Sequence, residues 1–558
     1  MPATLTKPEV LVRLASLPPA ARSQALLYAR RLYQPAPPVH QRSPEDQALY
    51  DACEYDVRRF AAAFFPEHCT VPFSPMHHDW FATWKADAET RGLRDVTAAP
   101  RGYAKTTLRS LIKLVHDCVY GHERFIVVVS SRHDMARDKV KDVRDVLETN
   151  ERLLEVFGRQ QTGKWNETLF VTQGGVRVQA ASPRSQIRGL KWGAIRPTKL
   201  VLDDAENAEH VQTETQRDKF WRTVTSDFFK LGTPTTNIDV VGTILHEQSL
   251  IARLLEAPGW RGRKYQAVRR WADQAPELWQ AWREIFCDGS RARDAAKQAA
   301  RDFFTAHQDS MLAGHDVLWE AREPYVELME QILTEGETAF ATEKQNAPEL
   351  IQERLFNLDA ARFFTVAPDR LVFPSHVVPL YELVDLAAFW DPALGQGGST
   401  PGDYSACVVV GKDRRGYFYV LDAYLSNVDK PAQQLVAITD LLWRWQVPKI
   451  GIESNGFQSL LVGDLREAVA TRALAEQTPW SVQFLQVHNS RAKELRISTL
   501  EPYLTNGWLA LSARLPAEAL RQLRVYRPLP DADHDDFLDS CEGALRVLRG
   551  LLAARDAG

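Results

Sequence analysis

The sequence predicts an α/β protein built as two α/β domains in series, and three patterns carry that expectation. Short apolar, β-branched runs such as Phe125–Val129 alternate with helical stretches, as strands of a buried parallel sheet do. Several runs end on an acidic residue or lead into a turn before a helix, the edge where α/β sheets carry their chemistry. The alternation stops over 256–374 and resumes after about 375, which separates two sheets.

Bulk properties agree. At 558 residues the chain exceeds what one hydrophobic core holds, so two or three domains are expected. A net charge of −4 excludes a polycation, so nucleic acid would be held by local basic surfaces. No apolar run approaches the length needed to span a bilayer. The apolar stretch 11–17 is interrupted by Arg13 and ended by Pro18 and Pro19, which argues against a secretory signal. Six cysteines without CxxC spacing fit a reducing compartment and no structural zinc.

In chain order, residues 1–60 read as an N-terminal arm with helices at 9–17 and 20–33 and a break at Pro35-Ala36-Pro37-Pro38. Residues 61–255 read as strands at 96–98, 124–130, 176–180, 199–202 and 239–242, with helices at 106–120 and 135–148 between them. Residues 256–374 turn helical and tryptophan-rich, with Trp271, Trp279, Trp282 and Trp319 as core anchors. Residues 375–558 resume with strands at 386–390, 406–411, 417–423, 449–452, 481–487 and 508–511, and a last helix from about His534.

The loop Ala99-Pro100-Arg101-Gly102-Tyr103-Ala104-Lys105-Thr106-Thr107 joins a strand to a helix. A phosphate site needs inward N–H groups, a lysine for the phosphates and a hydroxyl for Mg²⁺ at such a helix start. Lys105 and Thr106 supply the side chains, although both consensus glycines are alanine, at 99 and 104. Asp203 closes the strand 199–202, where a Mg²⁺ ligand is required, and Asp204 or Glu206 polarises the attacking water. Arg101 stabilises transition-state charge in cis, and Gly242-Thr243 senses the γ-phosphate.

A second acidic set is spread over Asp391, Glu453 and His534-Asp535-Asp536-Phe537-Leu538-Asp539. Cleavage of a phosphodiester by two metals needs carboxylates that hold the ions roughly 3.5–4 Å apart. Asp391 and Glu453 each end an apolar strand, while Asp536 shares a helix face with Asp539. One such aspartate alone is an ordinary first-turn residue favoured by the helix dipole; the ordered set points to a metal-dependent nuclease. Asp403 is a fourth acid, and His534 a helix cap or proton carrier. Arg491, Lys493 and Arg496, with Arg521, Arg524 and Arg527, are expected to track a phosphate backbone or to lie on solvated helix faces.

In this order the segments resemble the large terminase subunit of tailed bacteriophages, over nearly all of the chain after residue 60. The carriers are Pro100 to Thr107, Leu200 to Asp204, Gly242-Thr243, Phe340-Ala341-Thr342-Glu343-Lys344-Gln345-Asn346-Ala347-Pro348, Asp391-Pro392-Ala393, Gly402-Asp403-Tyr404-Ser405 and His534-Asp535-Asp536. The resemblance implies an ASCE-type P-loop ATPase with a helical lid, then a ribonuclease-H-like nuclease. It further implies ATP with Mg²⁺ or Mn²⁺ on Thr106 and Asp203, and up to two ions on Asp391, Glu453 and Asp536 with Asp403 nearby. Expected partners are double-stranded DNA, a portal protein and a small terminase subunit. The expected assembly is a pentameric ring in the host cytoplasm, docked transiently on the procapsid portal, with Arg188 as the arginine given to a neighbour. Two departures stand out: Ala104 replaces a glycine, tolerable on a negative φ, and Asp203-Asp204 stands where many relatives carry Asp-Glu. A ribonuclease-H-fold transposase or resolvase with an ATPase domain is the alternative, and a DNA-binding scaffold with a dead nucleotide site a third reading.

Overall fold

The computed structural model describes residues 42–185, 187–348, 355, 356, 358, 361–392, 404–453, 458–487, 493–526 and 534–550. The expected helices at 9–17 and 20–33, together with Asp403, Arg491 and Arg527, lie outside the described residues. The chain forms two compact units. One runs to Arg269 and adds Val317–Pro324 and Ala341–Pro348; the other takes Arg270–Asp316, Tyr325–Phe340 and the rest. Residues 256–374, expected as one helical segment, are thus divided between both units.

The first unit is a seven-stranded sheet of β1 (Arg94–Ala98), β2 (Phe125–Val129), β3 (Leu169–Val171), β4 (Arg177–Ala181), β5 (Lys199–Asp203), β6 (Asn237–Gly242) and β7 (Arg261–Lys264) in the order β3-β4-β2-β5-β6-β1-β7. All pairs are parallel except β3 with β4. Every residue of β2 and β5 is buried, which is why both read as continuous apolar runs. Arg-Gly-Arg-Lys gives no such signal for β7. This edge strand is held through Arg261, whose guanidinium pairs with Asp87 at 2.6 Å and Asp95 at 2.5 Å.

The helix after β1 opens with π-wound turns, Thr106–Ile112, and continues as Lys113–Tyr120. Its buried Arg109 bonds Asp239 on β6 and, at 2.9 Å, Thr97 on β1, and lies 4.5 Å over the Trp80 ring. That buried pair fixes the helix, and the loop before it, against two central strands. Trp319 was expected in a helical pack but belongs to this unit. Its ring meets His77 at 4.6 Å and Tyr103 of the loop at 5.7 Å, and its Nε1 donates to the Pro72 carbonyl at 2.6 Å.

Strands β8 (Val268–Arg270) and β9 (Asp316–Val317) form a short two-stranded ribbon. In the second unit Trp279 and Trp282 are buried between the helices Pro276–Phe286 and Arg293–Met311, as expected of core anchors, whereas Trp271 is exposed. The sheet of this unit comprises β10 (Arg362–Val366), β11 (Arg370–Val372), β12 (Val377–Pro379), β13 (Leu383–Asp391), β14 (Ser405–Asp413), β15 (Phe418–Ser426), β16 (Lys449–Glu453), β17 (Gln483–Val487) and β18 (Leu509–Ser512). Its order is β12-β11-β10-β18-β15-β14-β13-β16-β17, with β13, β14 and β15 antiparallel and β16 parallel to β13.

The helix Asp536–Leu548 lies across β13 and β14 and is buried along nearly its whole length. It sits close because two glycines face Phe389. A Cβ on Gly543 would lie 2.4 Å from the Phe389 ring, and one on Gly451 would lie 2.6 Å from it. Alanine normally favours a helix interior by about 1 kcal/mol over glycine, but here the clash outweighs propensity. Gly543→Ala is therefore expected to destabilise the second unit by roughly 1–3 kcal/mol, read as a lowered unfolding temperature of that unit with the first unit's transition unchanged.

Candidate functional site

Two clusters of side chains form where strands end. In the first unit the loop after β1 turns with Gly102 at φ +86° and Ala104 at φ +52°. The negative φ on which a methyl at this position is readily tolerated is not adopted: Ala104 occupies the left-handed region that glycine enters freely, at a cost on the order of 1 kcal/mol. The Ala104 carbonyl accepts the Leu108 N–H at 3.0 Å, so this conformation starts the helix.

Lys105 is buried, and its ammonium donates to the carbonyls of Ala99 at 2.8 Å and Pro100 at 3.2 Å and to the Thr243 hydroxyl at 3.0 Å. Burial holds its pKa below the ordinary lysine value, against the pull of Asp204 and Asp203. Asp203, at the end of β5, has no exposed surface. Its carboxylate accepts from Ser110 at 2.6 Å and Thr106 at 3.4 Å and pairs with Lys139 at 2.8 Å. Ser110 and Lys139 escaped the sequence reading. Ser110 carried a signal, lying one helical turn beyond Thr106; Lys139 carried none, since tertiary packing alone brings it to β5.

The structure gives Asp204 and Glu206 different surroundings. Asp204 takes a left-handed turn at φ +49°, with its N–H on the Val241 carbonyl at 3.0 Å and its own carbonyl accepting from Ser131 at 3.1 Å. Gly242 makes room for it, since a Cβ there would lie 3.0 Å from Asp204 Oδ1. Glu206 instead accepts the Leu250 N–H at 3.0 Å on both oxygens, at the start of the helix Leu250–Glu256. Burial raises the pKa of both acids, that of Glu206 to about 7.

An open cleft of about 210 Å³ is lined by Arg101, Lys105, Asp204, Glu206, Thr243 and Glu343, among others. Arg101 is exposed at this cleft. Its N–H donates to the Glu343 carbonyl at 2.8 Å and its guanidinium to the Glu343 carboxylate at 3.3 Å. Lys344 reaches the Arg101 carbonyl at 3.1 Å, and Asn346 accepts the Ile244 N–H at 2.9 Å. The motif Glu343-Lys344-Gln345-Asn346 thereby braces both the loop and the end of β6. Arg188 lines a different groove and pairs with Asp227 at 2.9 Å. Pro100, Tyr103 and Lys105 are buried, Thr107 is half-buried, and Gly102 and Thr106 are exposed.

In the second unit Asp391 and Glu453 end the adjacent parallel strands β13 and β16, whose register pairs Trp390 with Ile452. One carboxylate oxygen each of Asp391, Glu453 and Asp539 lies within 4.8 Å of the other two. The expected third member, Asp536, is not in this group; Asp539, one turn further along the helix, is. Asp536 accepts the Tyr404 N–H at 3.1 Å instead. The two aspartates are one turn apart on one helix face, so the helix's axial position, which the sequence does not carry, selects the one that reaches the strand ends. Three hard oxygen donors suit Mg²⁺ or Mn²⁺. A second group, His116, Asp117 and His122, lies as close together, but Lys113 and, at 2.7 Å, Lys199 already neutralise Asp117, which makes a poor cation site.

The described basic residues expected to track a phosphate backbone or to lie on solvated faces differ in their surroundings. Arg496 is buried and grips Asp539 at 2.5 and 3.0 Å, and Lys493 lies 2.6 Å from Asp535. Arg521 pairs with Glu518 at 2.8 Å, and Arg524 is exposed. His534 lies edge-on to Tyr404 at 4.9 Å.

Residues 388–547 match the terminase RNaseH-like domain family. Solved structures of the large terminase from a thermophilic bacteriophage are also similar. Its ADP complex shares 10% identity over 86% of this chain and 100% of that chain, with a TM-score of 0.48. The ATP-gamma-S complex shares 8% identity over 84% and 98%, with a TM-score of 0.46. RuvC of Thermus thermophilus shares 14% identity over 30% of this chain and 99% of that one, with a TM-score of 0.19. No curated protein matches the sequence.

Burial, then Glu453 and Asp539, push the Asp391 carboxyl from 3.8 up to about 8, and burial pushes Asp539 up to about 6. A carboxyl whose folded pKa is raised binds more protons in the native state, so stability falls as pH rises from about 4 to about 8. In chelator, the unfolding temperature of the second unit is expected to fall across that window. Asp391→Asn, which stays neutral, is expected to flatten the fall, as calorimetry against pH would record.

Proposed function

The second unit carries a terminase RNaseH-like domain, and on that premise we propose that the chain is a terminase large subunit, an ATP-driven motor that moves double-stranded DNA into a procapsid and cuts the concatemer. The observation that carries this reading is the family match over the domain that holds Asp391, Glu453 and Asp539. The lysine-bearing loop and buried strand-end aspartate of the first unit support the motor half.

In the motor site Lys105 binds the β- and γ-phosphates, for which it must leave the Ala99 and Pro100 carbonyls and Thr243. Thr106 and Asp203 would hold Mg²⁺, which would supply positive charge against the phosphates. Arg101 reaches the γ-phosphate from the cleft mouth, and Thr243 links its presence to the end of β6. Asp204 orients the attacking water, since Glu206 is engaged on the Leu250 N–H. In the nuclease site Asp391, Glu453 and Asp539 would hold Mg²⁺ or Mn²⁺, which activates a water and the scissile phosphate. Glu453 and Asp539 are buried, which strengthens the pull of their charge on a bound ion.

The same reading makes the protein a partner of a portal protein and a small terminase subunit. It would act as a pentameric ring at the procapsid portal in the host cytoplasm, with Arg188 as the arginine offered to a neighbour. The motor core would then be the first compact unit, which extends past the expected limit of 255 to take in β7, and the nuclease the sheet of the second, which begins with β10 ahead of the expected limit of 375. The recombination alternative gains no support, because the matching family is that of terminases.

Two paired experiments test the reading. Lys105→Ala is expected to lower DNA-stimulated ATP hydrolysis by on the order of 100-fold or more while supercoiled-plasmid cleavage with Mn²⁺ persists; Asp391→Asn is expected to do the reverse. Retained ATPase in the first, or retained cutting in the second, would falsify the assignment. For the water-orienting acid, Asp204→Asn is expected to cost roughly 10²–10⁴ in kcat and Glu206→Gln only a few-fold, and the opposite ranking would exchange the two roles.

A further inference from the structure

The loop that carries Lys105 is held from one side by a buried histidine. His77 lies in the first turn of the helix Pro75–Ala86 and has no exposed surface. Its Nδ1 accepts the Ser74 N–H at 3.1 Å, so the proton of the neutral ring sits on Nε2. Nε2 faces the Tyr103 carbonyl at 3.2 Å and therefore donates to it. The Trp319 ring meets the imidazole edge-on at 4.6 Å and packs on Tyr103 as well, which fixes the ring plane. Burial lowers the His77 pKa to about 4, so this tautomer persists through the neutral range.

The Tyr103–Ala104 peptide is trans, so its N–H points opposite to its carbonyl. With the carbonyl turned onto His77, the Ala104 N–H is directed away from the helix Pro75–Ala86, across the loop. Flipping this peptide plane would reverse both groups and carry Ala104 from φ +52° to the negative φ that alanine prefers. The observed conformation is thus kept against the preference of its own alanine, and the His77 hydrogen bond is a contact that keeps it. Resting on the nucleotide-site reading, we propose that His77 is a positioning residue of the motor site: by holding the Tyr103 carbonyl outward, it presents the Ala104 N–H to a phosphate of the bound nucleotide. The flipped peptide would set a carbonyl oxygen against that phosphate, where an anion needs a donor. His77 acts through the loop alone.

The test uses the full chain, with ADP binding measured by calorimetry and ATP hydrolysis by steady-state kinetics. His77→Asn puts its amide where Nδ1 was and can still accept from Ser74, but it does not reach Tyr103. His77→Gln puts its amide nitrogen where Nε2 was and keeps that reach. His77→Asn is expected to raise KM for ATP and Kd for ADP together by about 10-fold, the loss of one N–H bond to a charged group, with kcat little changed. His77→Gln is expected to recover most of that loss. Adding Ala104→Gly to His77→Asn is expected to recover part of it, because glycine adopts a positive φ without strain. An ADP affinity unchanged in His77→Asn overturns the proposal. So does an equal loss in His77→Asn and His77→Gln that Ala104→Gly leaves in place, since His77 is then a packing residue only. Wild type that binds no ADP overturns the nucleotide-site reading and the proposal with it, an outcome seen before any substitution is made.

Discussion

A carboxylate buried at the end of a strand has to be compensated, and both candidate sites are organised around that requirement. Asp203 has no exposed surface. Left unpaired, such a charge would cost several kcal/mol or take up a proton. Lys139, Ser110 and Thr106 surround it instead, and in doing so they draw together β5, the helix after the phosphate-type loop and the helix His133–Thr149. The position that would meet a metal is therefore also the one that holds these elements in register.

The second unit meets the same requirement less completely. Arg496 answers Asp539 and Lys493 answers Asp535 and Asp536, but Asp391 is left with its carboxyl pushed up to about 8 by burial and by its acidic neighbours. A cluster that prefers a proton in the absence of metal exchanges that proton for a divalent ion as pH rises. Asp391 is thus poised for a cation, whereas Asp203 is largely satisfied by its neighbours. The difference matches the proposed roles: a ligand that meets metal together with nucleotide, and a cluster that binds metal directly.

Two local devices set the geometry of the first unit. Ala104 accepts a left-handed conformation that glycine would adopt without strain, and Tyr103 beside it is buried against Trp319. Packing of the neighbour outweighs a penalty on the order of 1 kcal/mol. The segment Glu343–Asn346, far away in sequence, ties Arg101 to Ile244 through side-chain and backbone hydrogen bonds. A motif that reads as a bare string in the sequence is thus a brace across the cleft.

The sequence alone determined the α/β class, the strands that end at Asp203, Asp391 and Glu453, and the loop that carries Lys105, because continuous apolar runs and strand-end acids are local signals. It missed β7, whose charged residues are stabilised by partners distant in the chain, and the short strands β10 to β12, whose pattern is too brief to show a period. It named Asp536 where the acids brought together include Asp539, left the φ of Ala104 open, and left Arg496 between a phosphate-tracking surface and a solvated face when it is buried on Asp539. Tertiary structure decided these points because each depends on where a whole element sits. The axial position of a helix selects Asp539, a packed aromatic cluster holds the loop, and an ion pair between two helices buries Arg496. Spacing says which residues share a face, and only packing says what that face meets.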